Sequence, residues 1–248
     1  MTFSNRVAVI VGGTSGIGRA SAAAFAARGA RVVLGGRDAR RGEDTAAALR
    51  AAGGDARYFS VDVTDSASVA ALFRAIDSDY GRLDIAFNNA GWEGPAAPAG
   101  AVEEADWLRM IDTKLNGVWR CMRGELPLLQ RSGGGAIVNM AGSWGLVGFP
   151  NYAPYCAAAH GIMGLTRAAA LEYARAGIRV NAVCPGAVDA PMLDRMTGGA
   201  QEVKAVFGEQ LAIGRICTAE EVAQAVLWLA SPAASYVNGI GLPLDGGG

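Results

Sequence analysis

The residues most able to do chemistry begin with Val11-Gly12-Gly13-Thr14-Ser15-Gly16-Ile17-Gly18, which joins a short apolar run to an alanine-rich segment. Glycines at this spacing let the backbone pass close to a diphosphate. The phosphate charge then faces the unpaired N–H groups and positive end of the following helix. Glycines alone would tighten any turn, so the weight of the motif comes from the strand before it and the helix after it. At the end of the second apolar run, an NAD-selective site would present a carboxylate to the ribose hydroxyls. The chain instead reads Gly35-Gly36-Arg37, with Arg40 and Arg41 close behind. A planar guanidinium suits the extra 2′-phosphate of NADP, so NADP(H) is expected in preference to NAD(H). Asp38 reads as a helix cap.

Other chemistries have little to work with. His160 is the only histidine, which leaves a histidine-based zinc site or a Ser-His-Asp triad hanging on one imidazole. Cys121, Cys156, Cys184 and Cys217 are widely spaced with no Cys-x-x-Cys pair, so reduced thiols and no metal site are expected. A net charge of -1 without a Lys/Arg cluster removes the electrostatic footprint of a nucleic-acid or anionic-membrane binder, and a small molecule is the expected partner. No apolar run reaches the length of a membrane span, and the start lacks a signal-peptide pattern, which reads as cytoplasmic.

The elements that must position these residues are legible as an alternation. Val/Ile/Leu-rich runs recur at Arg6 to Val11, Arg31 to Leu34, Arg57 to Val61, Leu83 to Phe87, Ala136 to Met140 and Ile178 to Val183. Continuous apolar runs of this length read as strands buried on both faces, and the segments between them have helical period. Strand and helix alternating from end to end imply right-handed crossovers and a parallel sheet. The expected fold is α/β, a single doubly wound, Rossmann-type domain over residues 1–248 with helices on both faces. Residues 190–213, with Gly198-Gly199 between a strand and a late helix, read as a substrate lid. Asp65 or Thr64 caps the helix that ends near Gly81.

With these motifs in place the chain resembles the short-chain dehydrogenase/reductase family along essentially its whole length. Val11 to Gly18 resembles the family's cofactor turn, with Val11 where threonine is usual. Asp62-Val63 resembles its adenine contact, Asn88-Asn89-Ala90-Gly91 its central-strand motif, and Pro185-Gly186 its following loop. The closing Leu244-Asp245-Gly246-Gly247 resembles a C-terminus that packs in a tetramer, so a homo-oligomer is implied. By this resemblance Gly12, Thr14, Ser15, Gly16, Ile17 and Gly18 hold the pyrophosphate side and Arg37 the adenosine phosphate. Asp62 and Val63 hold the adenine, Asn89, Ala90 and Gly91 line the middle, and Tyr155, Pro185, Gly186 and Val188 approach the nicotinamide. Ala190 stands where a threonine often binds the carboxamide.

The family's catalytic set, an asparagine, a serine, a tyrosine and a lysine four residues after the tyrosine, is broken here. Tyr155 is present, but the lysine position is Ala159, the serine position is Gly142 with Ser143 beside it, and the asparagine position is Lys114. A phenol is a ready proton donor at neutral pH and a weak base, so loss of the ammonium harms alcohol oxidation more than carbonyl reduction. Three readings follow. Lys114 supplies the missing ammonium from the neighbouring position, so that the candidate catalytic residues are Tyr155, Lys114 and Ser143. Alternatively the substrate is an iminium, which needs no oxyanion stabilisation, with Glu93 and Asp189 as candidate attractors whose exposed structural roles are the simpler expectation. A third reading, from another class, is a non-redox scaffold that keeps the dinucleotide site, as a cyclase or a depleted pseudoenzyme. The preferred reading is an NADPH-dependent reductase of a carbonyl or imine; if the family mechanism has merely been crippled, returning serine and lysine to 142 and 159 is expected to raise ketone reduction. Trp92, Trp144, Phe149, Pro150, Tyr152 and Met192 fall in loops beyond the sheet's carboxyl edge and imply an apolar pocket. Trp107, Trp119 and Trp228 read as core or subunit-interface residues, and His160 as packing.

Overall fold

The computed structural model describes residues 2–247. The first half runs β1 (Val7–Val11), α1 (Gly16–Ala26), β2 (Arg31–Gly36), α2 (Ala39–Ala51), β3 (Asp55–Ser60), α3 (Ser66–Tyr80) and β4 (Ile85–Asn88). Next come α4 (Glu104–Met110), a π-helical turn over Ile111–Asn116, α5 (Gly117–Arg131), β5 (Gly135–Met140), α6 (Ala153–Tyr173) and β6 (Ile178–Pro185). The chain closes with β7 (Val188–Asp189), α7 (Pro191–Thr197), α8 (Gln201–Gln210), β8 (Cys217–Thr218), α9 (Ala219–Ala230) and β9 (Gly241–Leu244).

Seven strands form one parallel sheet in the order β3-β2-β1-β4-β5-β6-β9. Side chains alternate across a strand, and β1 shows the result. Val7, Val9 and Val11 enter the core under α3, α5 and α6, whereas Ala8 and Ile10 enter the one under α1, α2 and α9. This is the doubly wound α/β fold expected from the alternation. The strand order reverses between β1 and β4, so the carboxyl ends of those strands splay apart and leave the crevice where ligands bind in such sheets.

Several local expectations shift. β4 starts at Ile85 rather than Leu83 because Asp84 is buried and tied down by Arg6, Arg82 and the backbone N–H of Val7. Asp65, not Thr64, caps α3, accepting from Ala67 N at 2.8 Å. The last sheet strand, β9, is too short and too interrupted by Pro243 to stand out as an apolar run. Trp107, Trp119 and Trp228 are 40%, 47% and 36% exposed, so none of them fills the core. His160 lies exposed on α6, bonded among the described residues to the carbonyl of Cys156 alone, and does not pack inside. The four cysteines are free thiols. Among the described residues, no helix is long and apolar enough to cross a membrane, and no cluster of ligating side chains could hold a metal ion.

Candidate active site

The turn between β1 and α1 is built for close backbone approach. A Cβ on Gly12 would lie 2.6 Å from the backbone nitrogen of Ala90, and one on Gly18 would collide with the carbonyl of Gly12. Asn89 fixes the same corner by donating to the Gly12 carbonyl at 3.0 Å. Ser15 at the helix N-cap makes no side-chain capping bond, which leaves the start of α1 open to an anion. These features fit a dinucleotide: a narrow glycine cradle, an uncapped helix start and a cavity running along both.

The far end of the cavity follows from β2. A Cβ on Gly36 would lie 2.9 Å from the Thr14 side chain, so the strand end has no room for an acidic residue there. Asp38 is committed, accepting from Arg41 N at 2.9 Å as cap of α2 and pairing with the Arg41 guanidinium at 3.4 Å. Arg37 is exposed at the cavity edge and pairs with no carboxylate among the described residues. Burial alone would raise the Asp62 pKa, but two hydrogen bonds from Thr64 and the charges of Arg37 and Arg120 hold it below the usual carboxylate value. A charged acceptor therefore lines the cavity with Arg37 beside it.

The catalytic corner is assembled from three elements. α6 carries Tyr155, with Ala159 one turn on along the same face, fully buried and without a functional group. The loop after β5 brings Gly142 against the tyrosine, and a Cβ there would lie 3.0 Å from the Tyr155 hydroxyl. Gly142 also has φ +86° and ψ 159°, a backbone state nearly closed to other residues. Returning a serine to 142 therefore strains the loop. The third element is the π-helical turn that links α4 to α5. Such turns widen a helix locally, and here it presents Lys114 inward. Lys114 is 2% exposed, its Nζ lies 4.2 Å from the Tyr155 ring centroid, and it donates to the Met140 carbonyl at 3.4 Å. Ser143 lines the same cavity, with a hydroxyl that has no hydrogen-bond partner among the described residues. Asn116, two residues beyond Lys114, turns aside to bond Asp112.

One cavity of about 890 Å³ joins the cradle to this corner. Of the expected cofactor residues all but Gly18 line it; Gly18 lies beneath, against Gly12. The substrate end is walled by Trp144, stacked on Phe149 at 4.3 Å, 4.8 Å from Tyr152 and edge-on to Tyr155 at 5.1 Å. Met192 also lines it, whereas Trp92 and Pro150 do not, Trp92 being covered by the Arg109 guanidinium at 4.2 Å.

Residues 190–213 form two helices, α7 and α8, over the opening. Ala190 and Pro191 lie 3.3 and 3.2 Å from where a Gly16 Cβ would stand. Two ion-pair systems hold the segment, neither visible in sequence because the partners are far apart. Arg195 grips both oxygens of Glu93, at 2.5 and 2.8 Å, and Lys204 bridges Asp189, at 2.9 Å, to Asp194. Glu93 is thus buried rather than exposed. Its burial would raise the pKa, but the Arg195 bonds outweigh that and keep it below the usual value. Asp189 is exposed and structural, as expected.

Comparison with known proteins bears on the same residues. A family model described as enoyl-(acyl carrier protein) reductase matches residues 11–248. Cis-4-hydroxycyclohexanecarboxylate dehydrogenase of Sinomonas cyclohexanicum is 45% identical over 246 residues, covering 99% of this chain and 97% of that protein. A cyclohexanol dehydrogenase of an Acinetobacter species is 38% identical over 244 residues, covering 98% and 95%. The crystal structure of levodione reductase matches with a TM-score of 0.94 at 36% identity, covering 99% of this chain and 98% of that one. The chain is a short-chain dehydrogenase/reductase. As a member of that family it is an oxidoreductase that works with a nicotinamide dinucleotide on a small molecule. In this short-chain dehydrogenase/reductase, Lys114, Gly142 and Ala159 surround one tyrosine, Tyr155.

Proposed function

We propose that this enzyme is an NADPH-dependent reductase of carbonyl compounds built on a six-membered ring, with Tyr155 as proton donor, Lys114 as its electrostatic partner and Ser143 as a second donor. The observation that carries this reading is the buried Lys114 ammonium against the face of Tyr155, in the corner where the usual lysine has become Ala159. When bound, the dinucleotide supplies the hydride. Gly12, Thr14, Ser15, Gly16, Ile17 and Gly18 would hold its pyrophosphate half, with Arg37 at the 2′-phosphate and Asp62 and Val63 at the adenine. Asn89, Ala90, Gly91, Pro185, Gly186 and Val188 would hold the remainder beside Tyr155.

Negative charge grows on the carbonyl oxygen during reduction, and the Tyr155 hydroxyl donates its proton to that oxygen. The phenolate charge is then shared between oxygen and ring, and a cation about 4 Å away stabilises it by at most roughly 4 kcal/mol at an effective dielectric near 20. Lys114 stands at that range from the ring. The Ser143 hydroxyl, without a partner among the described residues, is available to the carbonyl oxygen, and the aromatic wall of Trp144, Phe149 and Tyr152 packs the ring while the 190–213 lid excludes water. The ring comes from the relatives, two of which are named for cyclohexane-ring alcohols. The buried Lys114 charge opposes a cationic iminium, which places carbonyls ahead of imines. A homotetramer acting in the cytoplasm completes the reading.

The test is cofactor consumption on cyclohexanone-type ketones and cyclic imines, with NADPH and NADH, for the wild type and Tyr155→Phe. Preference for NADPH, turnover of ketones and collapse in Tyr155→Phe are expected. Tight NADPH binding without turnover of any acceptor would replace this reading by the scaffold one.

A further inference from the structure

The chain has only two lysines, and both are buried: Lys114 is 2% exposed and Lys204 6%. Their surroundings differ in kind. Lys204 bridges two carboxylates, those of Asp189 and Asp194, which is how a buried cation is ordinarily satisfied. Lys114 pairs with no carboxylate among the described residues; its contacts are one carbonyl at 3.4 Å and a ring face. The carboxylates around the cavity are occupied elsewhere. Asp62 takes two bonds from Thr64, Asp38 caps α2, Glu93 is gripped by Arg195, and Asp245 accepts from Gly247 N at 3.1 Å. An ammonium has three donors, and this one faces a cavity that runs past the Tyr155 hydroxyl. The protein thus leaves a charged donor set next to the reacting position with almost nothing to accept from it.

We propose that Lys114 is a specificity-determining residue that selects substrates with a second oxygen on the carbon next to the reacting carbonyl, one oxygen accepting from Tyr155 and its neighbour from Lys114. The substrate class is that of 2-oxo acids and vicinal diketones. This inference rests on the carbonyl-reductase reading and narrows it. Charge-assisted hydrogen bonds of this kind correspond to about 10- to 100-fold in selectivity. An isolated ketone leaves the donors unmet, whereas an α-oxygenated one satisfies them, and a carboxylate also neutralises the charge.

The experiment uses three probes that differ only beside the carbonyl: acetophenone, 1-phenylpropane-1,2-dione and phenylglyoxylate. The wild type should reduce one or both oxygenated probes with kcat/KM at least about tenfold above acetophenone, chiefly through KM. Lys114→Met, or Lys114→Asn with the residue usual for the family, should erase that preference. Comparing the ratio between wild type and variant cancels the intrinsic reactivity of the dione. Gain with phenylglyoxylate alone identifies an anion as the selected group; gain with both shows that a neutral oxygen suffices. No preference in the wild type, or an equal loss on all three probes in the variants, overturns the inference and leaves the reductase reading standing.

A readout independent of turnover uses the scarcity of lysines. Protein labelled with ¹³C-lysine gives two sets of side-chain signals. Adding phenylglyoxylate to the NADP⁺ complex, in which it cannot be reduced, should shift those of Lys114 and leave Lys204 in place, with acetophenone as control. Unmoved Lys114 signals at saturating phenylglyoxylate would overturn the inference even if no probe turned over, an outcome that would itself sink the reductase reading.

Discussion

The dinucleotide cradle and the catalytic corner lie at the same edge of one sheet, yet they are specified in different ways. The cradle is made of backbone: Gly12 and Gly18 approach other main-chain atoms so closely that a methyl group cannot be added. The corner is made of side-chain ends that reach one point from the π-helical turn, the loop after β5 and α6. A backbone site tolerates little change and keeps its pattern. A side-chain site can receive the same charge from a different direction, and here an ammonium enters from position 114 where position 159 supplies none. What a site demands is a charge or a proton at a place, and the residue number that supplies it is open to revision.

The largest expected effect tests whether the corner does proton chemistry at all. Tyr155→Phe removes only the hydroxyl from a buried ring. Reductase activity measured by NADPH consumption should fall about 10²- to 10⁴-fold while NADPH affinity holds. A small loss would make the tyrosine a packing residue and end the contrast between cradle and corner.

Next in size is a double-mutant cycle between 114 and 159. Lys114→Asn should cost about 10- to 100-fold in kcat for ketone reduction, on the scale of one lost charge contact. Ala159→Lys alone should also lose activity, because it buries a second ammonium close to the first. Together they return the family's asparagine and lysine and should recover to within about tenfold of the wild type. Additive losses would show that Lys114 does not stand in for the absent lysine.

The cradle's adenosine end is sharpened by Arg37→Ala. NADPH affinity, read by fluorescence titration, should fall about tenfold or more and NADH affinity hardly change, since only the former carries the phosphate that the guanidinium suits. Equal losses would remove the basis for NADPH preference.

How much of this was legible follows the same division. The parallel sheet, the tight glycine turn between β1 and α1 and the cap at Asp38 could be read because each is a local pattern with a local physical cause. Lys114 could be singled out as one lysine gained where another is lost, but its approach to Tyr155 depends on a π-helical turn that no periodicity announces. The positive φ of Gly142 was hidden for the same reason, since a glycine reads alike whether its conformation is needed or incidental. The Arg195 grip on Glu93 and the Lys204 bridge join residues whose spacing carries no signal. β9 was missed because four residues broken by a proline do not make an apolar run.

The smallest effect concerns what lies beneath the corner. Asn88 of β4 donates to Glu125 of α5 at 3.2 Å and to Asn139 of β5 at 3.0 Å, and Asn139 donates to Thr166 of α6. This network ties α5, into which the Lys114 turn leads, and β5, from which the Gly142 loop leaves, to α6, which carries Tyr155. Glu125 Oε1 and Asn88 Oδ1 have no partner among the described residues, and burial pushes the Glu125 pKa up to about 8, only partly offset by the Asn88 hydrogen bond. The folded-state value lies above that of the unfolded chain, so the folded protein keeps a proton that the unfolded one releases. Stability is therefore fullest below the unfolded pKa, falls as pH rises from about 4.5 toward 8, and levels off above that. Glu125→Gln removes the titration and provides an amide donor, so it should flatten this fall and stabilise the protein at pH 8 by roughly 1–3 kcal/mol, with little change at pH 5. Chemical denaturation at the two pH values measures it. An equal effect at both would mean that Glu125 does not titrate in this range. The network beneath the corner would then be fixed by hydrogen-bond geometry, in the manner of the cradle, and not by charge.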